Sequence, residues 1–267
     1  TFTGIAGSDG VPLHFYPNNR DLPRFVVSDV MHLKGGLYST VSLETPVTYF
    51  YAREAMRVKV KAEFPHGTFT EWYPQAKIDY SGKAGSITWD EVEVLPGQKG
   101  DLPADDAAEK GRYFHARAAG ANLLRVKTEK ATQDEGFLFY RGAGDVKLPV
   151  RVVWEAQRGY SVTNQGEETI SQYFAVSVKD KKTVFVTGGA LKAGASSAFD
   201  FHKVSEGVDA LGSALTKALV AQGLYEKEAR AMVATWRDAW LEEDGTRVLY
   251  ILNTKESDRL VPLQIKP

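Results

Sequence analysis

Hydrophobic and polar side chains alternate at every second position through most of residues 12–201. That period puts one side of a strand in a core and the other in water. The sorting is complete over residues 57–64, where Val58, Val60, Ala62 and Phe64 take one face and Arg57, Lys59, Lys61 and Glu63 the other. Similar runs fall at 47–51, 78–80, 87–94, 113–117, 123–126, 137–140, 150–154, 173–178, 184–186 and 198–201. Short strands at this spacing, broken by Gly, Pro, Asn and Asp, predict a mainly β chain built as a β-sandwich. The charged stretches 97–110 (with Asp105, Asp106, Glu109 and Lys110) and 127–135 read as solvated connections.

The period lengthens after His202. Val208, Leu211, Leu215 and Leu219 recur every three to four residues and the run stops at Gly223, where a left-handed C-terminal cap favours glycine. A second helix is predicted over 226–242, with Ala229, Met232, Val233, Trp236 and Trp240 on one stripe and Glu226 and Glu228 in its first turn. The short connection makes an antiparallel αα-hairpin, which cannot bury its own stripe and is expected to dock its tryptophans on a sheet. The apolar run 248–252 reads as a strand returning to a sheet, so that the hairpin is clamped at both ends. The chain thus divides into an N-terminal β-sandwich region (1–145), a β region over 146–203 belonging to the same sandwich or a second one, and the hairpin with its terminal strand over 204–267.

Two resemblances follow from particular words of the sequence. The stretch Tyr160-Ser-Val-Thr-Asn-Gln-Gly-Glu-Glu-Thr-Ile170, followed by Leu191-Lys-Ala-Gly194 and the run 198–201, resembles the back half of immunoglobulin-like bacterial β-sandwich domains. There a strand ends in an Asn-x-Gly turn and a late glycine precedes the last strand. The segments Glu44-Thr-Pro-Val-Thr-Tyr-Phe-Tyr51, Thr70-Glu-Trp-Tyr-Pro74, Phe137-Leu-Phe-Tyr-Arg-Gly142 and Trp236-Arg-Asp-Ala-Trp240 together resemble a family of bacterial β-rich proteins to which we attach no activity. The resemblances imply a fold and supply no mechanism.

Composition narrows the chemistry. The 267 residues hold 33 basic and 34 acidic side chains, so the broad positive field used by nucleic-acid binders is missing. With no cysteine there is no thiolate nucleophile, disulfide, Cys-ligated zinc or iron–sulfur cluster. No apolar run approaches the ~18 residues that span a bilayer as a helix. The start at Thr1, without Met, reads as removal of an N-terminal piece, either by cleavage of a secretory signal, which would make the location periplasmic or extracellular, or by trimming of an expressed fragment. No signature for a nucleotide, a metal or an activated serine is present, and no cofactor is implied. Arg141-Gly-Ala-Gly-Asp145 lacks the third glycine of a dinucleotide fingerprint and reads as a turn requiring positive φ. The five histidines His14, His32, His66, His115 and His202 show no metal-ligand spacing.

What stands out is aromatic clusters that each hold or abut a charge. They contain Glu71, Trp72 and Tyr73, then Tyr113, His115 and Arg117, then Tyr140 and Arg141. One reading places them in the core, since aromatics are the bulkiest sandwich fillers. A second has Glu71, Arg117 and Arg141 facing a cleft walled by Trp72, Tyr73 and Tyr140, where a carboxylate of raised pKa serves as general acid and an arginine fixes an anion. A third pairs buried charges, Glu44 or Glu71 with Arg117, Arg141 or Arg237.

The leading expectation is a non-enzymatic binding module for a protein, peptide or glycan. Its ligand-binding residues would be Trp72, Tyr73, Arg117, Tyr140 and Arg141. The alternatives are a hydrolase using Glu71, His66, His115 and Arg141, and an assembly or scaffold subunit joined through the helical hairpin.

Overall fold

A computed structural model describes residues 2–3, 22–28, 41–43, 47–80, 85–105, 111–128, 131–155, 159–202 and 204–267. Strands take 44% of the described residues and helices 22%, which makes the fold mainly β, as the alternation predicts. Every strand pair among the described residues is antiparallel. The chain forms two compact units, the first built on Pro12–Val146 and Asp258–Pro267, the second on Lys147–Ser257.

The first unit is a sandwich of two sheets. In chain order its strands are β1 (Phe2–Thr3), β2 (Val27–Ser28), β3 (Val41–Leu43), β4 (Val47–Thr48), β5 (Met56–Phe64), β6 (Gly67–Tyr73), β7 (Lys77–Asp79), β8 (Gly85–Leu95), β9 (Leu123–Lys127), β10 (Thr132–Glu135) and β11 (Leu138–Gly144). The C-terminal strand β19 (Leu263–Lys266) joins them. One sheet runs β1-β3-β11-β6-β2 with β4 also on β11, and the other β10-β9-β8-β5-β19 with β7 also on β8.

Side chains of β5 obey the predicted sorting, with Val58, Val60, Ala62 and Phe64 buried. Outside, Lys59 and Lys77 each reach Asp90 at 2.7 Å, and Arg57 and Lys127 reach Glu93 at 2.9 and 3.0 Å. Between the sheets Phe64 meets Phe69, with ring centroids 6.1 Å apart, and Trp89 meets Tyr140, also at 6.1 Å. The Trp89 indole N–H donates to the Pro74 carbonyl at 2.9 Å.

Three parts of the first unit depart from the sequence-based expectation. Residues 113–117 are not a strand: helix α1 (Arg112–His115) and a 3-10 turn (Ala116–Ala119) bury Tyr113, Ala116 and Ala119, a helical spacing that the short aromatic run hid. Within 127–135, residues 132–135 form a strand that pairs back on 123–127 as a β-hairpin, Arg125 gripping Asp134 through two bonds of 2.8 Å. Asp105 is buried and bonded to the backbone N–H and side chain of Arg24 at 2.8 to 3.1 Å, where a solvated loop was expected.

Glycines 142 and 144 lie within β11 and not in a turn. They are required by close approach instead of positive φ: a Cβ on Gly142 would stand 2.5 Å from the Thr68 carbonyl oxygen, and one on Gly144 2.4 Å from that of His66.

The second unit has three layers. One sheet is β12 (Val150–Glu155), β13 (Gly159–Asn164) and β16 (Ser196–Phe199) in that order. The other is β17-β15-β14-β18, formed by β14 (Tyr173–Lys179), β15 (Lys182–Gly188), β17 (Ser205–Glu206) and β18 (Gly245–Tyr250). The third layer is the helical hairpin, α2 (Val208–Ala221) and α3 (Glu226–Arg237).

Alternation along β14 explains the layering. Tyr173 and Ala175 pack with Val162, Ile170, Leu191 and Phe199 between the sheets, while Phe174, Val176 and Val178 pack against Leu211, Leu215, Val233 and Trp236 of the helices. The sheet is therefore buried on both faces. Gly188 leaves room for its cross-strand neighbour Tyr173, whose ring carbon would lie 2.0 Å from a Cβ there.

The hairpin ends follow the predicted chemistry. Gly223 has φ of 103° and the Leu224 N–H bonds the Leu219 carbonyl at 3.3 Å, closing a left-handed cap. The second helix is α-helical only to Arg237. A π turn (Asp238–Glu242) follows, with the Glu243 N–H on the Asp238 carbonyl at 2.8 Å, and it stacks Trp240 on Trp236 at 5.7 Å. The Thr183 hydroxyl and the Arg247 guanidinium donate to carbonyls of that final segment. Strand β18 then pairs with β14, so the hairpin is held at both ends as its sequence suggested. Helix α4 (Thr254–Leu260) precedes β19; neither was anticipated.

Candidate functional site

The charged aromatic clusters meet on the β6–β11 ladder. Phe139 faces Tyr73, Tyr140 faces Trp72 and Arg141 faces Glu71, after which Thr70 is an extra residue and Gly142 faces Phe69. Because neighbours on a strand point to opposite faces, Glu71 and Arg141 share one face while Trp72 and Tyr140 share the other. Tyr140 packs against Phe69 at 5.6 Å, inside the sandwich.

The cleft walled by Trp72, Tyr73 and Tyr140 therefore does not form around Glu71 and Arg141. Both charged residues are buried; the Thr70 hydroxyl donates to Glu71 Oε2, and the Arg141 guanidinium lies 5.7 Å from the centre of the Phe139 ring. Tyr73 sits beside Phe25, with centroids 4.8 Å apart.

Arg117 belongs to a different centre. Glu135, with no exposed surface, accepts from the Tyr113 hydroxyl at 3.0 Å, from Arg117 Nε at 3.0 Å and Nη2 at 2.7 Å, and from the Gly136 N–H at 2.7 Å. Arg117 Nη2 also donates to the Pro103 carbonyl at 2.8 Å, and its guanidinium stacks 4.8 Å from the Phe114 ring centre. A carboxylate that accepts four hydrogen bonds, two of them from one guanidinium, has no lone pair to spare for a substrate proton.

Three buried phenols have their ionisation pushed up. Burial, then the Glu135 charge, pushes Tyr73 up to about 12, and the same two causes raise Tyr113 well above the ordinary phenol value. Burial alone raises Tyr140 to about 12 against a lowering bond from Thr48.

The described histidines do not join either centre. His66 and His115 are exposed, His66 in the turn from β5 to β6 and His115 at the end of α1. His14, His32 and Glu44 lie outside the described residues. No group of three acidic or imidazole side chains suited to a metal occurs among the described residues. Arg237, the other arginine considered for a buried pair, instead bonds Asp209 at 2.9 Å and Glu242 at 2.7 Å near the surface.

What remains for chemistry is on the surface. A groove of about 580 Å3 follows the two helices of the hairpin, floored by Gly212, Val233 and Ala234 and rimmed by the Asp209–Arg237 and Glu226–Arg230 pairs. More distinctive are the outermost strands β12 and β19. Val152 and Trp154 on β12 are 37% and 59% exposed, and Leu263 and Ile265 on β19 are 36% and 47% exposed. Yet their cross-strand neighbours belong to interior faces: Val152 is opposite Val162 and Trp154 opposite Tyr160, while Leu263 is opposite Ala62 and Ile265 opposite Val60. Each edge thus prolongs a buried apolar face beyond its cover.

Backbone parity adds to this. The Gln165 N–H bonds the Pro149 carbonyl at 2.6 Å, and the Glu63 N–H bonds the Pro262 carbonyl at 3.0 Å. In an antiparallel ladder, hydrogen-bonded and non-bonded positions alternate. Val152, Trp154, Leu263 and Ile265 therefore point their N–H and C=O groups away from the neighbouring strand, along an edge that no further strand among the described residues pairs with.

Neither edge was singled out from the sequence. The signal for β19 was present in Pro262-Leu-Gln-Ile-Lys-Pro267, an alternating run between two prolines, which is what a short edge strand looks like. Glu135 was missed because it closed a stretch taken as solvated.

No family model, no curated protein and no solved structure matches the chain. Among the described residues no helix is long and apolar enough to cross a membrane.

Proposed function

We propose that this chain is a non-catalytic module that binds protein or peptide partners by adding a strand to its open sheet edges. The observation that carries the proposal is the pairing, on β12 and again on β19, of exposed apolar side chains with outward-facing peptide groups at the same residues. An extended ligand at such an edge gains main-chain hydrogen bonds for affinity and side-chain contacts at alternate positions for selectivity. The acid–base reading is weakened by the same structure, since Glu71 and Arg141 are buried, Glu135 is saturated, and His66 and His115 stand apart from them.

The test is to select binders to the intact protein from a random peptide library, beside a glycan array and a panel of hydrolase substrates. Selected peptides are expected to bind the wild type and to lose at least ~10-fold in affinity when Trp154→Asp or Ile265→Asp is introduced. Glycan capture without peptide binding, or turnover of a substrate, would overturn the proposal. A second reading, an assembly subunit joined through the hairpin, is favoured by the groove along α2 and α3. It requires a mass above the monomer by light scattering.

A further inference from the structure

The two edges differ in the charge beside them, and β19 is the more specific. On its solvent face Gln264 lies opposite Lys61 and Lys266 opposite Lys59. The carboxylates that balance this face are set back from the edge: Lys59 reaches Asp90 on β8 at 2.7 Å and Lys61 reaches Glu63 on its own strand at 2.5 Å. Lys266 has no ion-pair partner among the described residues. The outermost rank therefore offers one amide, one ammonium and no carboxylate, while its other face offers Leu263 and Ile265.

We infer that the β19 edge receives an extended segment of a partner protein in which apolar residues alternate with Asp or Glu. The inference rests on the strand-addition reading above. Alternation is dictated by the pleat: residues of the incoming strand opposite Leu263 and Ile265 face the prolonged apolar surface, and those between them face Gln264 and Lys266. The acidic residues answer the uncompensated lysine, and like-charged residues at these positions are opposed. A second copy of the chain is the poorer occupant, because its own edge brings another Gln264 and Lys266 and no acid.

The test is fluorescence anisotropy of the intact protein with a short labelled peptide alternating valine and glutamate. The comparison is a peptide of the same composition with valines and glutamates in separate blocks. The alternating peptide is expected to bind at least ~10-fold more tightly. Ile265→Pro should remove most of that binding, since the lost N–H faces the open edge and the bonds to β5 are kept. Lys266→Glu, at an exposed position that does not threaten folding, should weaken the valine–glutamate peptide and strengthen a valine–lysine one.

Equal binding of the block peptide, or binding indifferent to both variants, would overturn the inference while library peptides bound elsewhere still upheld the module. Failure of every library peptide would remove both. A concentration-dependent dimer abolished by Ile265→Pro would assign the edge to a second copy and so overturn the acidic partner.

Discussion

Replacing Arg117 by methionine would remove the one cation that, among the described residues, touches the fully buried carboxylate of Glu135. Glu135 would keep the Tyr113 hydroxyl and the Gly136 N–H but lose the bonds of 3.0 and 2.7 Å from the guanidinium. Breaking one side of a buried pair costs about 3–5 kcal/mol, because the remaining charge is left uncompensated. The Arg117 side chain retains 22% exposure against none for Glu135, so the lower end, about 3 kcal/mol, is expected.

Glu135→Gln keeps the volume but sets an amide NH2 against groups that all donate. It should cost about 2–3 kcal/mol. In the double variant the losses overlap, giving a coupling of at least ~1.5 kcal/mol in a double-mutant cycle. Urea unfolding at pH 7 followed by circular dichroism measures each term. Single losses below ~0.5 kcal/mol, or additivity within that margin, would refute the view that Glu135 is a saturated structural centre and would reopen an acid–base role for it.

Gly142→Ala should destabilise by about 1–3 kcal/mol through collision with the Thr68 carbonyl, whereas Gly136→Ala, where a Cβ meets nothing within 4 Å, should stay within ~0.5 kcal/mol; urea midpoints compare the two. Trp240→Ala should cost about 3–5 kcal/mol by emptying the stack on Trp236, read from the same curves. Absorbance titration should show Tyr73 and Tyr140 ionising near 12, above the ordinary phenol value of 10; since their folded values are raised, the stability they confer is complete below 10 and declines as pH rises towards 12. One wave at 10 for all 12 tyrosines would contradict their burial.

Legibility of the fold followed the strength of the period. Strand β5 could be read residue by residue because charged and apolar side chains alternate without exception, and the hairpin could be read because its apolar stripe is long and Gly223 marks the end of its first helix. Residues 112–119 misled because four or five residues with two aromatics satisfy either period, and burial of Tyr113, Ala116 and Ala119 decides for the helix only in three dimensions.

The candidate site was less legible for a related reason. The sequence words singled out Glu71, Arg141, Arg117 and the aromatics, but which face each of those on the β6–β11 ladder occupies depends on the extra residue at Thr70 and on strand register. The partner of Arg117 could not be found because Glu135 is far along the chain and sits among ordinary surface charges. Exposure of Trp154 and Ile265 depends on where the covering sheet stops, which no local pattern records.

Amide hydrogen exchange at β19 tests the central claim most directly. The Leu263 and Ile265 amides, which face the open edge, should exchange fast in the free protein and become protected at least ~10-fold when the alternating valine–glutamate peptide is added, while the Gln264 amide, bonded to β5, is protected throughout. Protection of Leu263 and Ile265 already in the free protein, or no change on peptide binding, would contradict strand addition at this edge.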